Sequence, residues 1–302
     1  MAWDAKSTLR QSVLAIVMLA ILLAATGWAW LMVRSGQRRQ DVGAQIVQSI
    51  HTQKLSHWYP EKAQVQWLLA SQGGKIVGWQ AIVRSSADGK HEGLRIESDG
   101  PTPPATKEGF IEKWSLDDTA TTGQYESKFI APGVSNAGAT IQLENGKVRM
   151  TQLFPHLMVA DQASGDAPAN YLPEGTTDLA LRLVAQQQAD GLFARISDTH
   201  PNEGKRIDFL TARIRYAGKG TGDSSALNKV ILAAGGEEET YWLTAEGEIK
   251  RIDTHSGPSW TQATEQQVAE HYPSAPAQVQ QLSENILPQK AGFWKRLFGV
   301  TL

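Results

Sequence analysis

The feature that most constrains this chain is an apolar segment near its N-terminus. Residues Val13 to Val33 contain no charged side chain, and Thr26 is their one polar side chain. A helix of about 20 apolar residues, rising about 1.5 Å per residue, spans a bilayer core of about 30 Å. A core helix of a soluble protein would carry polar residues on every turn. The sequence therefore predicts a transmembrane anchor over residues 1–34.

A cleaved secretory signal peptide is the competing interpretation of the same segment. The apolar run is longer than the core of about 7–15 residues that is typical of signal peptides, and no clear small-x-small cleavage site follows it. We therefore interpret it as the uncleaved anchor of a single-pass membrane protein. Trp3, Trp28 and Trp30 flank or end the run, where interfacial aromatic residues are favoured.

The charges beside the anchor leave its orientation nearly balanced. Lys6 and Arg10 precede the apolar run, and Arg34, Arg38 and Arg39 follow it. Positive charges near the ends of a span favour the cytoplasmic side, so this comparison alone slightly favours a cytoplasmic C-terminal domain. The family resemblance given below points to an extracytoplasmic domain, and that is the location we expect.

Composition excludes several classes of function. The formal net charge of the 302-residue chain is −2, so it lacks the basic surface of nucleic-acid-binding proteins. It has no cysteine, which excludes disulfides, thiolate nucleophiles and cysteine-ligated metals. Its seven histidines form neither an i, i+4 pair nor the HExxH motif of zinc enzymes. We expect no nucleic-acid partner, no cofactor and no metal.

Motifs of catalysis are also absent, since the chain has no GxSxG elbow, P-loop or GxGxxG. The acidic clusters Asp117-Asp118 and Glu237-Glu238-Glu239 bring carboxylates together, as acid–base catalysis requires. Adjacent strand residues point to opposite faces, so solvated turn acids are the favoured interpretation. Arg213 and Arg215 share a strand face and are expected to pair with nearby acids. The sequence predicts a protein that is not an enzyme.

The body of the chain begins with a predicted juxtamembrane helix over residues 35–60. Val42, Ile46, Ile50 and Leu55 recur near helical spacing in it, with polar residues between them. The helix either docks on its own domain, which we favour, or pairs with another copy.

Residues 61–258 are predicted to form an antiparallel sheet domain. Short apolar strands are separated by turn signals such as Gly73-Gly74, Asp88-Gly89 and Asn145-Gly146. Residues 154–170 read as a loop, and a central helix is expected at about 176–189 between two runs of strands. The predicted fold class is α+β: an N-terminal transmembrane helix, then a curved, half-barrel-like antiparallel sheet packed on one or two helices.

Residues 259–302 are predicted to hold a short helix, a Pro/Gln-rich linker and a basic-aromatic tail. The tail is a candidate for membrane or partner contact, because apolar and cationic residues at helical spacing suit an anionic membrane surface. Docking on its own domain is the alternative. The tail residues are Lys290, Phe293, Trp294, Lys295, Arg296, Leu297 and Phe298.

Several motifs resemble a group of bacterial membrane-anchored or periplasmic proteins of unassigned function. They are Trp67, Gly74-Lys75-Ile76-Val77-Gly78-Trp79, Tyr171-Leu172-Pro173-Glu174-Gly175, Thr240-Tyr241-Trp242-Leu243 and Glu246-Gly247-Glu248-Ile249. That group is related in fold to the LolA-like lipoprotein carriers. The resemblance implies an extracytoplasmic curved sheet with an apolar concave face; it transfers no functional residue by position, and an anchored chain could not shuttle as the carriers do.

Two functions from different classes follow. In the first, the anchored β-rich domain binds an apolar ligand, such as a lipid, or an envelope protein. The candidate ligand cradle consists of the strand tryptophans Trp67, Trp79, Trp114 and Trp242, although strand aromatics more often fill a core. In the second, the chain is a structural or assembly component of a membrane complex that acts through the juxtamembrane helix and the basic-aromatic tail.

Overall fold

The computed structural model describes residues 5–99, 109–131, 134–154, 159–196 and 206–284. The helices are α1 (Ala5–Gln53), α2 (Leu55–Trp58), α3 (Thr177–Gln187), α4 (Glu265–His271) and α5 (Ala275–Glu284). Eight strands precede α3: β1 (Gln64–Gln72), β2 (Lys75–Ala87), β3 (Lys90–Asp99), β4 (Gly109–Asp117), β5 (Thr122–Ala131), β6 (Val134–Glu144), β7 (Lys147–Phe154) and β8 (Val159–Asp166). Six follow it: β9 (Asp190–Ile196), β10 (Phe209–Lys219), β11 (Asn228–Ala234), β12 (Glu237–Leu243), β13 (Ile249–Thr254) and β14 (Ser259–Ala263).

Helix α1 is a single helix that runs from the apolar segment into the sheet domain. From Val17 to Val33 its side chains are exposed, and the helix is long and apolar enough to cross a membrane. Farther along, Ile46 and Ile50 are fully buried. The change of environment within one helix follows from sequence, because only the second part alternates apolar and polar residues at helical spacing.

The fourteen strands form one antiparallel sheet in the order β8-β7-β6-β5-β4-β3-β2-β1-β14-β13-β12-β11-β10-β9. Each neighbour is also a sequence neighbour except at the junction of β1 with β14. The edge strands approach each other without closing a barrel: Ser164 of β8 makes a single bridge with Arg206, which precedes β10, and Tyr171 makes one with Ala194 of β9. The predicted plan, an apolar N-terminal helix followed by a large antiparallel sheet with a few helices, is confirmed.

The inner face of the sheet packs on α3 and on the last turns of α1. Leu179, Leu183 and Val184 of α3 are buried in this core together with Ile46 and Ile50. Phe193 of β9 is its largest fully buried side chain. Gly43 lets α1 approach β9 closely, because a Cβ on Gly43 would lie 2.0 Å from the Leu192 carbonyl oxygen.

The outer face of β1–β3 packs on the two C-terminal helices. Trp67, Trp79 and Leu94 form this outer cluster with Val268 of α4 and Val279 of α5. The prediction of a Pro/Gln-rich linker is therefore wrong for residues 275–284, which form a packed helix. Gln and Ala are good helix formers, and Pro276 lies in the first turn, where a missing backbone N–H costs nothing.

Two strands were also missing from the expected order. Residues 159–166, expected as loop, form the edge strand β8, and residues 259–263 form β14, which joins the two halves of the sheet. Strand β8 has few large apolar side chains, with the sequence VADQASGD, so its pattern gave no strand signal.

The strands define two ends of the sheet, here called the anchor end and the mouth end. The anchor end carries the β2–β3 turn at Asp88-Gly89, the β4–β5 turn and the connection through α3. Helix α1 docks there: Arg39 pairs with Asp190 at the start of β9, and His51 bonds the carbonyl of Thr119 in the β4–β5 turn. The mouth end carries the β1–β2 turn at Gly73-Gly74 and the β11–β12 turn at Gly235-Gly236.

Candidate functional site

A cavity of about 250 Å³ lies between the inner face of the sheet and the first turn of α3. Its walls come from β2–β5 on one side, β9 and β11–β13 on the other, and α3 across one end. Seven charged side chains line it, and Glu97 lies beside them in the adjoining depression. We call these eight the inner charged cluster: Arg84, Arg95, Glu97, Glu112, Glu174, Asp178, Arg195 and Glu239. This cluster contains five carboxylates and three guanidinium groups.

Arg95 is the centre of the β2–β4 wall. Its two terminal nitrogens bond Glu97 at 3.0 Å and Glu112 at 3.2 Å. Glu112 also accepts a 2.6 Å bond from the Tyr125 hydroxyl, and Glu97 accepts a 2.8 Å bond from the Gln80 amide. The strand register brings them together, because Arg95 is the cross-strand partner of Glu112, and Glu97 is that of Gln80.

Two further ion pairs hold the α3 end of the cavity. Arg195 of β9 bonds Glu174 at 2.7 Å, and the Glu174 side chain is only 6% exposed. Arg84 of β2 bonds Asp178 of α3 at 3.1 Å, while the Tyr59 hydroxyl donates to the other Asp178 oxygen at 2.8 Å. Asp178 in the first helical turn also suits the positive end of the helix dipole.

Glu239 of β12 faces Arg95 across the cavity and differs from the other carboxylates. Its partner is the Tyr241 hydroxyl, which donates at 2.6 Å. Burial, followed by the charge of Glu239, raises the pKa of Tyr241 well above its ordinary value of 10. Tyr241 therefore remains a neutral donor at physiological pH.

Some polar atoms of the lining have no hydrogen-bond partner among the described residues. They include Oε1 of Gln80 and the Nε atoms of Arg84, Arg95 and Arg195. Gln80 is 2% exposed, and its amide cannot be turned round, because its nitrogen donates to the Glu97 carboxylate. Unpaired buried polar groups cost about 1–3 kcal/mol each. This lining is therefore incomplete as a purely structural network.

A wider depression of about 540 Å³ joins the cavity at the mouth end. It shares Arg95 and Glu239 with the cavity and continues over Glu97, Glu237 and Glu238. The loop at 254–258 and Trp260 complete its rim. This opening is at the opposite end of the strands from the docking site of α1. A second depression, of about 350 Å³, shares Ile82, Arg84, Asp178 and Ile249 with the cavity and lies towards the anchor end.

Trp114 forms the floor of the cavity towards the anchor end, and His91 lies behind it. The Trp114 indole lies between two glycines: a Cβ on Gly93 would be 2.0 Å from its ring, and one on Gly175 would be 2.6 Å from it. Gly175 also has φ of +86°, a conformation that favours glycine. The Leu-Pro-Glu-Gly sequence before α3 therefore seats the helix on this indole.

His91 is fully buried and stacks on Tyr59 with ring centroids 4.0 Å apart. Its Nε2 accepts a 3.1 Å bond from the Trp114 indole N–H, so its proton lies on Nδ1, which donates to the Ser85 carbonyl at 3.1 Å. Burial lowers the pKa of His91 from 6.5 to about 4. Both ring nitrogens are occupied, and His91 acts as a structural residue of the core.

The four tryptophans predicted to line one cradle do not share a face. Trp67 and Trp79 belong to the outer cluster under α4 and α5, and Trp242 lies on the outer face, where it donates to Asp253 and stacks with Lys229. Trp114 alone lies on the inner face. The predicted arrangement is corrected, because strand alternation sends neighbouring residues to opposite faces. The tail residues 290–298 lie outside the described residues.

Of the charged residues singled out in the sequence, some make structural bonds and one lines the cavity. Asp117 caps the β4–β5 turn by accepting the backbone N–H groups of Thr121 and Thr122, and Asp118 accepts bonds from Ser56. Arg213 pairs with Asp190, as expected of a strand arginine. Glu239, expected to be a solvated turn acid, instead lines the cavity.

Sequence reasoning missed the other members of the inner charged cluster. A signal was present in the period-2 pattern of polar residues: Gln80 and Arg84 alternate with apolar residues on β2, as Arg95 and Glu97 do on β3. Within the described parts of the chain, no group of three or more His, Asp or Glu residues has the arrangement of a metal site.

Comparisons with known proteins give little beyond this geometry. No family model and no curated protein matches the chain. Among solved structures, the chain is similar to a β-barrel-like protein of domain of unknown function DUF1849 from Brucella abortus, with 10% sequence identity and a TM-score of 0.43. The match covers 66% of this chain and 93% of that one. A likeness of this degree carries no functional argument.

Proposed function

We propose that this chain is a membrane-anchored, non-catalytic binding protein whose sheet domain holds a small polar ligand in the inner cavity. The observation that carries the proposal is the inner charged cluster, which surrounds about 250 Å³ of space and contains buried polar atoms without partners. Binding sites for small molecules are concave and contain a few convergent polar groups. The proposed ligand is polar because the described lining offers charges where the sequence predicted an apolar surface.

The proposal includes the anchor and its orientation. The apolar part of α1 is the uncleaved single-pass span, and the sheet domain lies outside the cytoplasm. The larger of the two depressions that adjoin the cavity, about 540 Å³ against about 350 Å³, lies at the mouth end, whereas α1 docks at the anchor end. A ligand that dissolves in water reaches such an opening directly, which supports a soluble ligand over a lipid drawn from the same bilayer.

Non-catalytic binding is supported by the state of the titratable groups. His91 is neutral, occupied on both nitrogens and buried beneath the cavity, and Tyr241 is held neutral by its raised pKa. A general base must reach the proton that it abstracts. His91 does not line the cavity, and Tyr241, which does, keeps its proton because its pKa is raised.

The test is recovery of a ligand from the full-length protein. The protein would be extracted from its own membranes in mild detergent, and small molecules released by denaturation would be identified by mass spectrometry. Thr177, at the start of α3, lines the cavity, so Thr177→Tyr is expected to fill it and abolish recovery. Thr177→Ser is the matched control and should retain the ligand. Recovery of the same molecules from both variants, or recovery of a lipid, would contradict the proposal.

A further inference from the structure

The inner charged cluster has more carboxylates than guanidinium groups, and the excess negative charge can be assigned to particular residues. Four of the five carboxylates of the inner charged cluster form direct ion pairs, two with Arg95, one with Arg84 and one with Arg195. Glu239 forms no direct ion pair with any described residue, and its partner Tyr241 carries no charge. The cluster therefore has two negative charges in excess, one at Glu239 and one shared by Glu97 and Glu112 around Arg95. Both Glu239 and Glu97 lie where the cavity meets the depression at its mouth.

Gln80 supplies an independent observation on the opposite wall. It lines the cavity, it is 98% buried, and its Oε1 accepts no hydrogen bond from the described residues. Its neighbour Glu97 lines the mouth depression, so acceptor oxygens of both residues lie near the cavity entrance. An acceptor of this kind is satisfied by an N–H or O–H donor.

The three unpaired Nε atoms do not change this conclusion. The guanidinium groups of Arg84, Arg95 and Arg195 each already bind a carboxylate. Their charge is compensated, so the Nε donors require an acceptor atom, such as a hydroxyl or a water molecule, and not an anion. The missing charge in the cavity is positive.

The residues around the mouth depression also favour a positively charged ligand. Glu97, Glu237, Glu238 and Glu239 all line the depression through which a ligand enters, and Arg95 is its one lysine or arginine side chain. A cleft lined by one sign of charge raises the local concentration of the opposite charge and speeds association.

We infer that the ligand of this cavity carries a primary ammonium or guanidinium group, which binds between Glu239 and the oxygens of Gln80 and Glu97. This inference rests on the proposed function and names the ligand class. Three-carboxylate or histidine geometry for a metal ion is absent from the described residues, so the cation is an organic one. The volume of about 250 Å³ limits it to a small amine or to the cationic end of a longer molecule.

The test measures binding of three simple probes to the full-length protein in detergent micelles at about 0.15 M salt, where weak surface attraction is screened. The probes are 1,4-diaminobutane, succinate and glucose, titrated by calorimetry. We expect 1,4-diaminobutane to bind and the other two to bind at least about tenfold more weakly.

Variants locate the site. Glu239→Gln is expected to weaken 1,4-diaminobutane about 10- to 100-fold, the range for loss of a hydrogen bond to a charged group. Glu239→Asp keeps the charge and should restore much of the affinity. Glu144→Gln is the matched control: it removes an equal charge from an exposed position of β6 at the anchor end and should leave affinity within about twofold. Thermal unfolding of each variant reports whether it folds.

Each alternative outcome is informative. Binding of succinate or glucose in place of the amine overturns the inference of a cationic ligand and leaves the proposed cavity function standing. Binding of the amine with no loss in Glu239→Gln places the cation elsewhere and also overturns it. Failure of all three probes overturns it as well, while the proposed function is judged separately by recovery of a ligand from the Thr177 variants.

Discussion

Strands β2 and β3 carry opposite chemistry on their two faces. On the outer face, Trp79, Ala81 and Leu94 pack with Val268 and Val279 of the C-terminal helices. On the inner face, the same strands present Gln80, Arg84, Arg95 and Glu97 to a cavity. Adjacent residues of these strands therefore lie in different environments, one in a packed apolar core and the next beside a polar cavity.

The contrast teaches that apolar strand positions indicate where the chain packs on itself. The outer tryptophans bury their rings because two helices cover them, and the polar residues are left for the face that holds the cavity. In a sheet with both faces covered, the better sign of function is a buried polar side chain whose hydrogen bonds are incomplete.

The largest expected effect is on the outer face. Trp79→Ala should lower the free energy of unfolding by about 3–5 kcal/mol, because Trp79 is 3% exposed and its loss leaves a cavity beside Trp67. Urea unfolding monitored by circular dichroism measures the change. The control is Trp242→Ala, which removes a half-buried outer-face tryptophan and its bond to Asp253 and should cost about 1 kcal/mol. Equal losses of unfolding free energy in the two variants would contradict the contrast between the faces, since they would show that the outer cluster packs no better than exposed surface.

An intermediate effect is expected for the ion pair on the inner face. Arg195→Ala leaves the buried Glu174 carboxylate without its 2.7 Å partner and should cost about 2–4 kcal/mol, below the full range for buried pairs because Arg195 is partly exposed. The double variant Arg195→Leu with Glu174→Leu should recover most of the stability, because apolar replacements of buried pairs are often neutral.

The same double variant sharpens the comparison when ligand recovery is measured beside chemical unfolding. We expect it to fold and to lose the proposed ligand. Retention of the ligand would show that the inner charges serve the fold alone.

The smallest of the three effects is a pH dependence at the base of the inner face. The pKa of His91 is about 4 in the folded protein and 6.5 in a free chain, so the folded state binds fewer protons. Stability from this group is complete above about pH 6.5 and falls as the pH drops towards 4, by about 2 kcal/mol at pH 5. Asp178, Asp118 and Arg84 are the charged groups that act on His91.

Replacing the imidazole tests this assignment. His91→Gln removes the titrating group and keeps a polar side chain between Ser85 and Trp114, so its stability should change less between pH 7 and pH 5 than that of the unaltered protein. Thermal unfolding at several pH values makes the measurement. Parallel profiles for the two proteins would assign the pH dependence to other groups.

The general plan of the fold was predictable because it depends on strong local patterns. The apolar run predicted the N-terminal helix, and glycine-containing turns such as Asp88-Gly89 and Asn145-Gly146 predicted an antiparallel sheet. Strand β8 and helix α5 were not predicted. Both are short of large apolar residues, and tertiary packing determines their structure: β8 pairs with β7, and α5 buries Val279 against the sheet.

The cavity could not be predicted because its members are distant in sequence. Glu239 and Arg95 face each other only when the sheet curves, and no local pattern reports that curvature. Gln80, Ile82 and Arg84 are at every second position of β2 and therefore share one face. Considering the two faces of this strand separately would have identified a partly polar inner face. The outer tryptophans were chosen as ligand contacts because large aromatic residues are conspicuous in a sequence, whereas orphaned hydrogen-bond acceptors are visible only in three dimensions.

The unbroken course of α1 has a mechanical consequence. Only four helical residues separate Arg34, beside the apolar segment, from Arg39, which is fixed to Asp190, and the rise from Arg34 to Arg39 is about 8 Å. With the apolar segment in a bilayer, the sheet domain has no tether on which to swing or extend. The domain would then be held at a fixed distance from the bilayer, with the mouth end of the sheet farthest from the docking site of α1. Under the proposed function, the ligand must therefore reach the mouth end by diffusion or on another protein.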